Sequence, residues 1–169
     1  MKKTIKVIVS GDGGVGKTSF LNRLINDSFD ANSNLTKGVE FFSKDVHING
    51  SEYNFIIWDF AGQHHFKKLL ADFVNGSLAA FVLFDLSRFT TLEGVKEWIK
   101  KLDRYGRIPT IILGSKRDVV NHYEMKIFDN FISEIRRNHK NIIGYLKISS
   151  KTGFNIEEAF YTLIKEISN

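Results

Sequence analysis

Cysteine is absent from the 169-residue chain. Its absence rules out disulfides, zinc–thiolate sites and a thiol nucleophile, and leaves nothing for a palmitoyl or prenyl transferase to modify. No apolar stretch approaches the ~18 residues of a membrane span, and Met1-Lys2-Lys3 is followed by no apolar signal-peptide region. Lys2 stands where N-myristoylation requires glycine. The expectation is a soluble cytoplasmic protein with no direct lipid anchor. Internal repeats, low-complexity tracts and linkers are also missing, so residues 1–169 are expected to form one domain. The net charge is +5 and the pI near 9.3, yet no block of about five or six cations occurs. The densest groups are Lys67-Lys68 and Arg136-Arg137 with Lys140. The second falls late in a predicted helix, where cations complement the negative helix end. The charge therefore reads as a solvated face, and no nucleic-acid partner is expected.

What is present is a phosphate-loop pattern. Residues 11–18 read Gly-Asp-Gly-Gly-Val-Gly-Lys-Thr, matching G-x-x-x-x-G-K-[ST]. Gly11, Gly13, Gly14 and Gly16 are expected to let the backbone turn its N–H groups inward on an anion. The helix that follows adds its positive end. Lys17 can reach the β- and γ-phosphates, and the Thr18 hydroxyl can ligate the magnesium that accompanies a nucleotide. Gly13, Gly14, Val15, Gly16, Lys17, Thr18 and Ser19 are the expected contacts. A ligand-free glycine turn is the alternative, but such a match arises by accident in roughly one chain of this length in a hundred. Its setting favours the site: Thr4 to Ser10 is a β-branched run suited to a buried strand, and Leu21, Leu24 and Ile25 share one helical face.

Apolar runs alternate with helical patterns along the chain, predicting an α/β fold with a mostly parallel sheet covered by helices on both faces. Six strands are expected: Ile5 to Val9, Phe41 to Ile48, Tyr53 to Trp58, Ala79 to Phe84, Thr110 to Leu113 and Ile142 to Ile148. Asn49-Gly50 predicts a hairpin, which makes the second strand an antiparallel edge. Helices are expected after the first strand and around residues 67–75, 92–105, 124–138 and 156–167. The only proline, Pro109, sits just before the fifth strand, where a missing N–H does least harm.

A phosphate loop alone fits kinases, ATPases and GTPases alike. Trp58-Asp59-Phe60-Ala61-Gly62-Gln63 places a carboxylate at a strand's carboxyl end, where open α/β sheets bind ligands. Leu35-Thr36-Lys37-Gly38-Val39-Glu40-Phe41, Ser115-Lys116-Arg117-Asp118 and Ser149-Ser150-Lys151 follow in order. With these segments the chain resembles the Ras superfamily of small GTPases, and the Rab group most closely, from Lys3 to about Ile167. The resemblance implies a P-loop NTPase fold and a GTP/GDP switch that slowly hydrolyses GTP with Mg2+. It implies that Asp59 and Thr36 join Thr18 at the metal and that Gly62 senses the γ-phosphate. Gln63 would orient the attacking water, with Lys17 and Gly62 completing the catalytic set. Phe29, otherwise ordinary core, would stack on the guanine edge. Asp118 can accept from two guanine N–H groups, whereas adenine would offer it a lone pair. Lys116 would lie along the base, and Ser115, Ser149, Ser150 and Lys151 complete the base site. The resemblance also implies effectors, exchange factors and GTPase-activating proteins docking through residues 30–42 and 59–75.

The chain departs from the family pattern at several positions. Ser115 replaces the usual asparagine and is too short both to contact the base and to brace the phosphate loop, so faster nucleotide exchange is expected. Phe60 replaces the usual threonine, and His64-His65 replace the usual acidic or Glu-Arg pair. Adjacent histidines in an extended segment point apart, so no metal site is read there. Lys37, Lys67 and Lys68 make the switches basic, favouring acidic partners. No arginine occurs from Leu24 to Ser87, so neither switch supplies a cationic finger, worth ~10³–10⁵ in rate. Phe41, Trp58 and Phe73 fall where Rab proteins display an aromatic cluster, with plain core packing as the alternative. The competing functions are a guanine-nucleotide-binding scaffold that scarcely hydrolyses and an adenine-dependent enzyme. Asp118 argues against the second.

Overall fold

The computed structural model describes residues 2–61 and 70–168, excluding the side chain of Phe60. Twelve elements run in the order β1 (Lys3–Gly11), α1 (Lys17–Asn26), β2 (Val39–Ile48), β3 (Ser51–Phe60), α2 (Leu70–Val74), β4 (Ala79–Asp85), α3 (Phe89–Asp103), β5 (Thr110–Ser115), a 3-10 turn (Arg117–Val119), α4 (Met125–Asn138), β6 (Ile142–Lys147) and α5 (Ile156–Ser168). The strands form one sheet in the order β2-β3-β1-β4-β5-β6. Every neighbouring pair is parallel except β2 and β3. Asn49 and Gly50 join those two with φ of 49° and 78°, the double left-handed turn whose twist suits a tight hairpin.

The two-residue period of a strand sorts the core into two layers. On β4, Ala79, Phe81 and Leu83 face one way and pack with α1 and α5 through Phe20, Leu21, Leu24, Phe160 and Leu163. Ala80, Val82 and Phe84 face the other way, against Leu70 and Val74 of α2 and against Leu92, Trp98, Phe128 and Ile132 of α3 and α4. All seven residues of β4 are buried, as a parallel strand covered on both faces must be.

The expected six strands are all present, each extended by one or two residues at one or both ends except β6, which ends one residue earlier. Helix α3 begins at Phe89 rather than 92. Thr91 Oγ1 accepts from the Asp85 N–H at 2.9 Å and bonds the Arg88 carbonyl at 2.7 Å, holding the first turn before the apolar repeat starts. The expected helix at 67–75 is described from Leu70 to Val74; its first residues lie outside the described set. β1, β3, β4, β5 and β6 all run in one direction, so their carboxyl ends open on one edge of the sheet. The order reverses around β1 there, which is the place such sheets bind ligands.

Candidate functional site

Each carbonyl from Gly11 to Gly16 has a donor. Lys17 Nζ donates to Gly11 O at 2.9 Å and to Asp12 O at 2.8 Å. Arg88 Nη2 donates to Gly13 O at 3.2 Å, Lys116 Nζ to Gly14 O at 3.2 Å and Ser115 Oγ to Val15 O at 2.5 Å. Gly16 O accepts the Phe20 N–H at 2.9 Å, the first bond of α1. In a trans peptide the carbonyl and the N–H point in opposite directions. Holding the Gly13, Gly14 and Val15 carbonyls away from the cleft therefore turns the N–H groups of Gly14, Val15 and Gly16 toward the concave side, where an anion would sit. Gly16 caps α1 at φ 99° with no side-chain hydrogen bond to the helix, which leaves the positive helix end to a ligand. Of the four loop glycines, Gly13 alone lies outside the left-handed region, so the expected conformational need does not extend to it. Asp12 is held from beneath by Trp98 Nε1 at 2.9 Å.

Lys17 is only 5% exposed. Burial lowers its pKa to about 8, against the charges of Asp59 and Asp12, which work to raise it. Two of its three N–H donors are spent on loop carbonyls, so one remains for a ligand.

Thr18, Thr36 and Asp59 converge at the mouth of the loop. Thr18 Oγ1 lies 2.5 Å from Thr36 Oγ1 and also bonds Asp59 Oδ2. Asp59 is fully buried, and its second oxygen, Oδ1, has no hydrogen-bond partner among the described residues. Burial raises its pKa to about 6, although the Thr18 hydroxyl and Lys17 favour the ionised form. An all-oxygen set around a buried, half-orphaned carboxylate suits a hard divalent cation such as Mg2+, which would restore the carboxylate charge.

At the opposite end, Asp118 lies in the 3-10 turn after β5 and its Oδ1 accepts the Ser149 hydroxyl at 2.7 Å. Ser115 has its hydroxyl on Val15 O and Phe84 O, so it braces the loop and has no reach left for a base. Arg23 of α1 donates from Nε to Ser150 O and from Nη2 to Lys151 O, both at 2.7 Å. It thereby fixes the loop after β6 to the helix that starts at the phosphate loop.

A cleft of about 400 Å³ runs between these two ends, within the usual range for a small-molecule site. It is lined by Gly13, Gly14, Gly16, Lys17, Thr18, Ser19, Phe29, Thr36, Ser115, Lys116, Asp118, Ser150 and Lys151. Phe29 is 39% exposed and presents an apolar edge to the cleft. Val15, Asp59 and Ser149 stand behind the lining: Val15 is a core side chain, and the other two act through the bonds just described. Gly62, Gln63, His64, His65, Lys67 and Lys68 lie outside the described residues. Sequence reasoning missed Asp85, Arg88, Arg23 and Trp98.

Away from the cleft, Phe41 meets Trp58 edge-on at 4.8 Å and Trp58 meets Phe73 at 5.5 Å between ring centroids. Phe41 is 61% exposed, whereas Trp58 and Phe73 are half-buried and Phe73 also packs on the core beneath α2 and α3, so the cluster joins the core to the surface and only Phe41 lies outside core packing. Lys6 Nζ sits over the Trp58 ring, 3.8 Å from its centroid.

A six-stranded sheet with this order and a phosphate loop at its switch point is the architecture of a P-loop nucleotide-binding protein, and residues 6–169 match the Ras family of small GTPases, to which the chain belongs. Within it the similarity is to Rab proteins. Human Ras-related protein Rab-22A is 33% identical over 172 residues, covering 98% of this chain and 84% of that protein. Rat Ras-related protein Rab-31 is 33% identical over 169 residues with the same coverage. Ras-related protein Rab-1A of Dictyostelium discoideum is 30% identical over 171 residues, covering 97% of this chain and 80% of that protein. The chain is a Rab-like GTPase, a nucleotide-binding switch with GTP hydrolase activity. No helix among the described residues is long and apolar enough to cross a membrane.

Proposed function

We propose that the cleft holds GTP or GDP with its phosphates on residues 13–19 and its base on Asp118, and that Thr18, Thr36 and Asp59 hold Mg2+. The observation that carries this reading is the half-orphaned Asp59 carboxylate bonded to Thr18 at one end of a cleft whose other end presents Asp118. Bound there, the cation would offset phosphate charge. Lys17 directs its remaining N–H at the transferring phosphoryl group. The loop's N–H groups stabilise charge on the phosphates without reorganising. Gln63 orients the water that attacks the γ-phosphorus, and Gly62 binds the γ-phosphate through its N–H. Thr36 belongs to both the metal set and the segment 30–42. Loss of the γ-phosphate frees that segment, so its conformation reports the nucleotide.

Regulators and effectors dock on residues 30–42 and 59–75 in this reading, with Phe41, Trp58 and Phe73 as the apolar anchor. Denaturing the purified, magnesium-supplied protein is expected to release GDP, and loaded GTP is expected to be cleaved slowly in a single turnover. Gln63→Leu should slow that cleavage further. Binding without cleavage would instead make the protein a scaffold, and released adenine nucleotide would overturn the role given to Asp118.

Ser115→Asn supplies an amide long enough to brace the loop and reach the base. One added hydrogen bond of ~1 kcal/mol slows GDP release by about three- to tenfold. An off-rate unchanged from the parent chain, measured with a fluorescent GDP, would show that Ser115 does not limit retention.

A further inference from the structure

We propose that Arg88, anchored by Asp85 at the end of β4, is a positioning residue that grips the phosphate loop from its carbonyl side and sets how long the nucleotide stays bound. The inference rests on reading residues 11–18 as the phosphate site. Arg88 Nε donates to Asp85 Oδ2 at 3.0 Å while its Nη2 reaches Gly13 O at 3.2 Å. Lys116 makes the parallel bridge, 2.7 Å from the same Asp85 oxygen and 3.2 Å from Gly14 O. One carboxylate thus holds two cations, and each passes a donor to one of two consecutive carbonyls of the loop.

Asp85 is fully buried, whereas Arg88 is 45% exposed. Burial alone would raise the Asp85 pKa, yet hydrogen bonds from Lys116, Ser87 and Arg88 hold it below the ordinary carboxylate value. The anchor is therefore a charge, fixed at the end of a strand with no exposed residue. Arg88 suits the task because its planar fork serves two acceptors at once with little further ordering.

The consequence lies on the other side of the two peptides. The N–H paired with Gly13 O belongs to Gly14, and the one paired with Gly14 O belongs to Val15. Fixing the carbonyls with cations aims those N–H groups into the cleft and polarises them as donors. This explains how Val15, whose side chain is wholly buried, contributes to the site. Ser115 performs the same service only for Val15 O. Since Lys116 lines the base end of the cleft, Asp85 also ties base and phosphate ends into one unit. The grip comes from the β4–α3 junction, outside both switch segments, so it persists whichever nucleotide is bound.

The test uses the full, magnesium-supplied chain with fluorescent GDP for release rates and phosphorus NMR of bound GDP. Loss of one half-exposed charge-assisted bond in Arg88→Ala is expected to speed GDP release by about three- to tenfold. The β-phosphate resonance should shift while the α-phosphate resonance stays in place. Arg88→Lys, whose ammonium can copy the bridge made by Lys116, should recover part of both effects. Release within twofold of wild type in Arg88→Ala would overturn the proposal. So would faster release with an unmoved β-phosphate resonance, which is the mark of general loosening. Wild-type protein that binds no GDP would overturn the underlying reading of the loop instead, and the two failures are told apart before any variant is made.

Discussion

Lys17→Ala is expected to lower GDP affinity at least about a hundredfold, as one charge-assisted hydrogen bond to phosphate is worth ~1.5–3 kcal/mol and a nearby unit charge adds to it. Lys17 is buried, and its ammonium has two donors fixed on Gly11 O and Asp12 O. Its third donor is held ready for the anion, so little ordering cost falls on the binding step. Truncation also leaves both carbonyls without their donor and removes the cation that favours the ionised Asp59. Loop and metal site are therefore damaged together. Titration with fluorescent GDP, alongside circular dichroism to establish that the variant folds, measures the effect. A loss under tenfold in a folded variant would mean that Lys17 serves the loop's own geometry more than the ligand.

Much of this site was legible because its parts are local. A phosphate loop is eight consecutive residues, and the strand before it and helix after it are fixed by periods of two and 3.6. The Asn49-Gly50 turn announced the one antiparallel pair for the same reason: its chemistry resides in two adjacent residues. What stayed hidden depends on contacts between distant segments. Arg88 reaches Gly13 across 75 positions, Trp98 reaches Asp12 across 86, and Arg23 reaches Ser150 across 127. No local pattern distinguishes these arginines from solvated ones. Arg88 follows directly on the arginine-free stretch that led us to expect no cationic finger from the switches. That stretch carries no arginine, but its absence gave no hint that a guanidinium from the next loop touches the phosphate loop. The short Ser115 could be read as a deficit from its length alone. Its hydroxyl's choice of Val15 O over the base became visible only with β5 and the loop side by side.

Asp118→Ala should cost roughly a hundred- to ten-thousandfold in GDP affinity, the loss of two charge-assisted hydrogen bonds at ~1.5–3 kcal/mol each. The Ser149 hydroxyl occupies Oδ1 at 2.7 Å and fixes the carboxylate's orientation. Each carboxylate oxygen carries two acceptor sites, so both can still face a base edge. Guanine presents two N–H donors to such a pair, whereas adenine presents a lone pair and a C–H. The carboxylate thus attracts one base and repels the other, and selectivity exceeds what attraction alone would produce. Removing it should weaken GDP strongly while leaving the affinity for ADP, expected to be poor from the start, unchanged or slightly improved. Competition of GDP and ADP against fluorescent GDP reads both arms at once. If the ratio of the two affinities stayed constant while both fell, Asp118 would be supporting the shape of the cleft. A collapse of the ratio carried almost entirely by GDP is the result that direct recognition of the guanine edge requires.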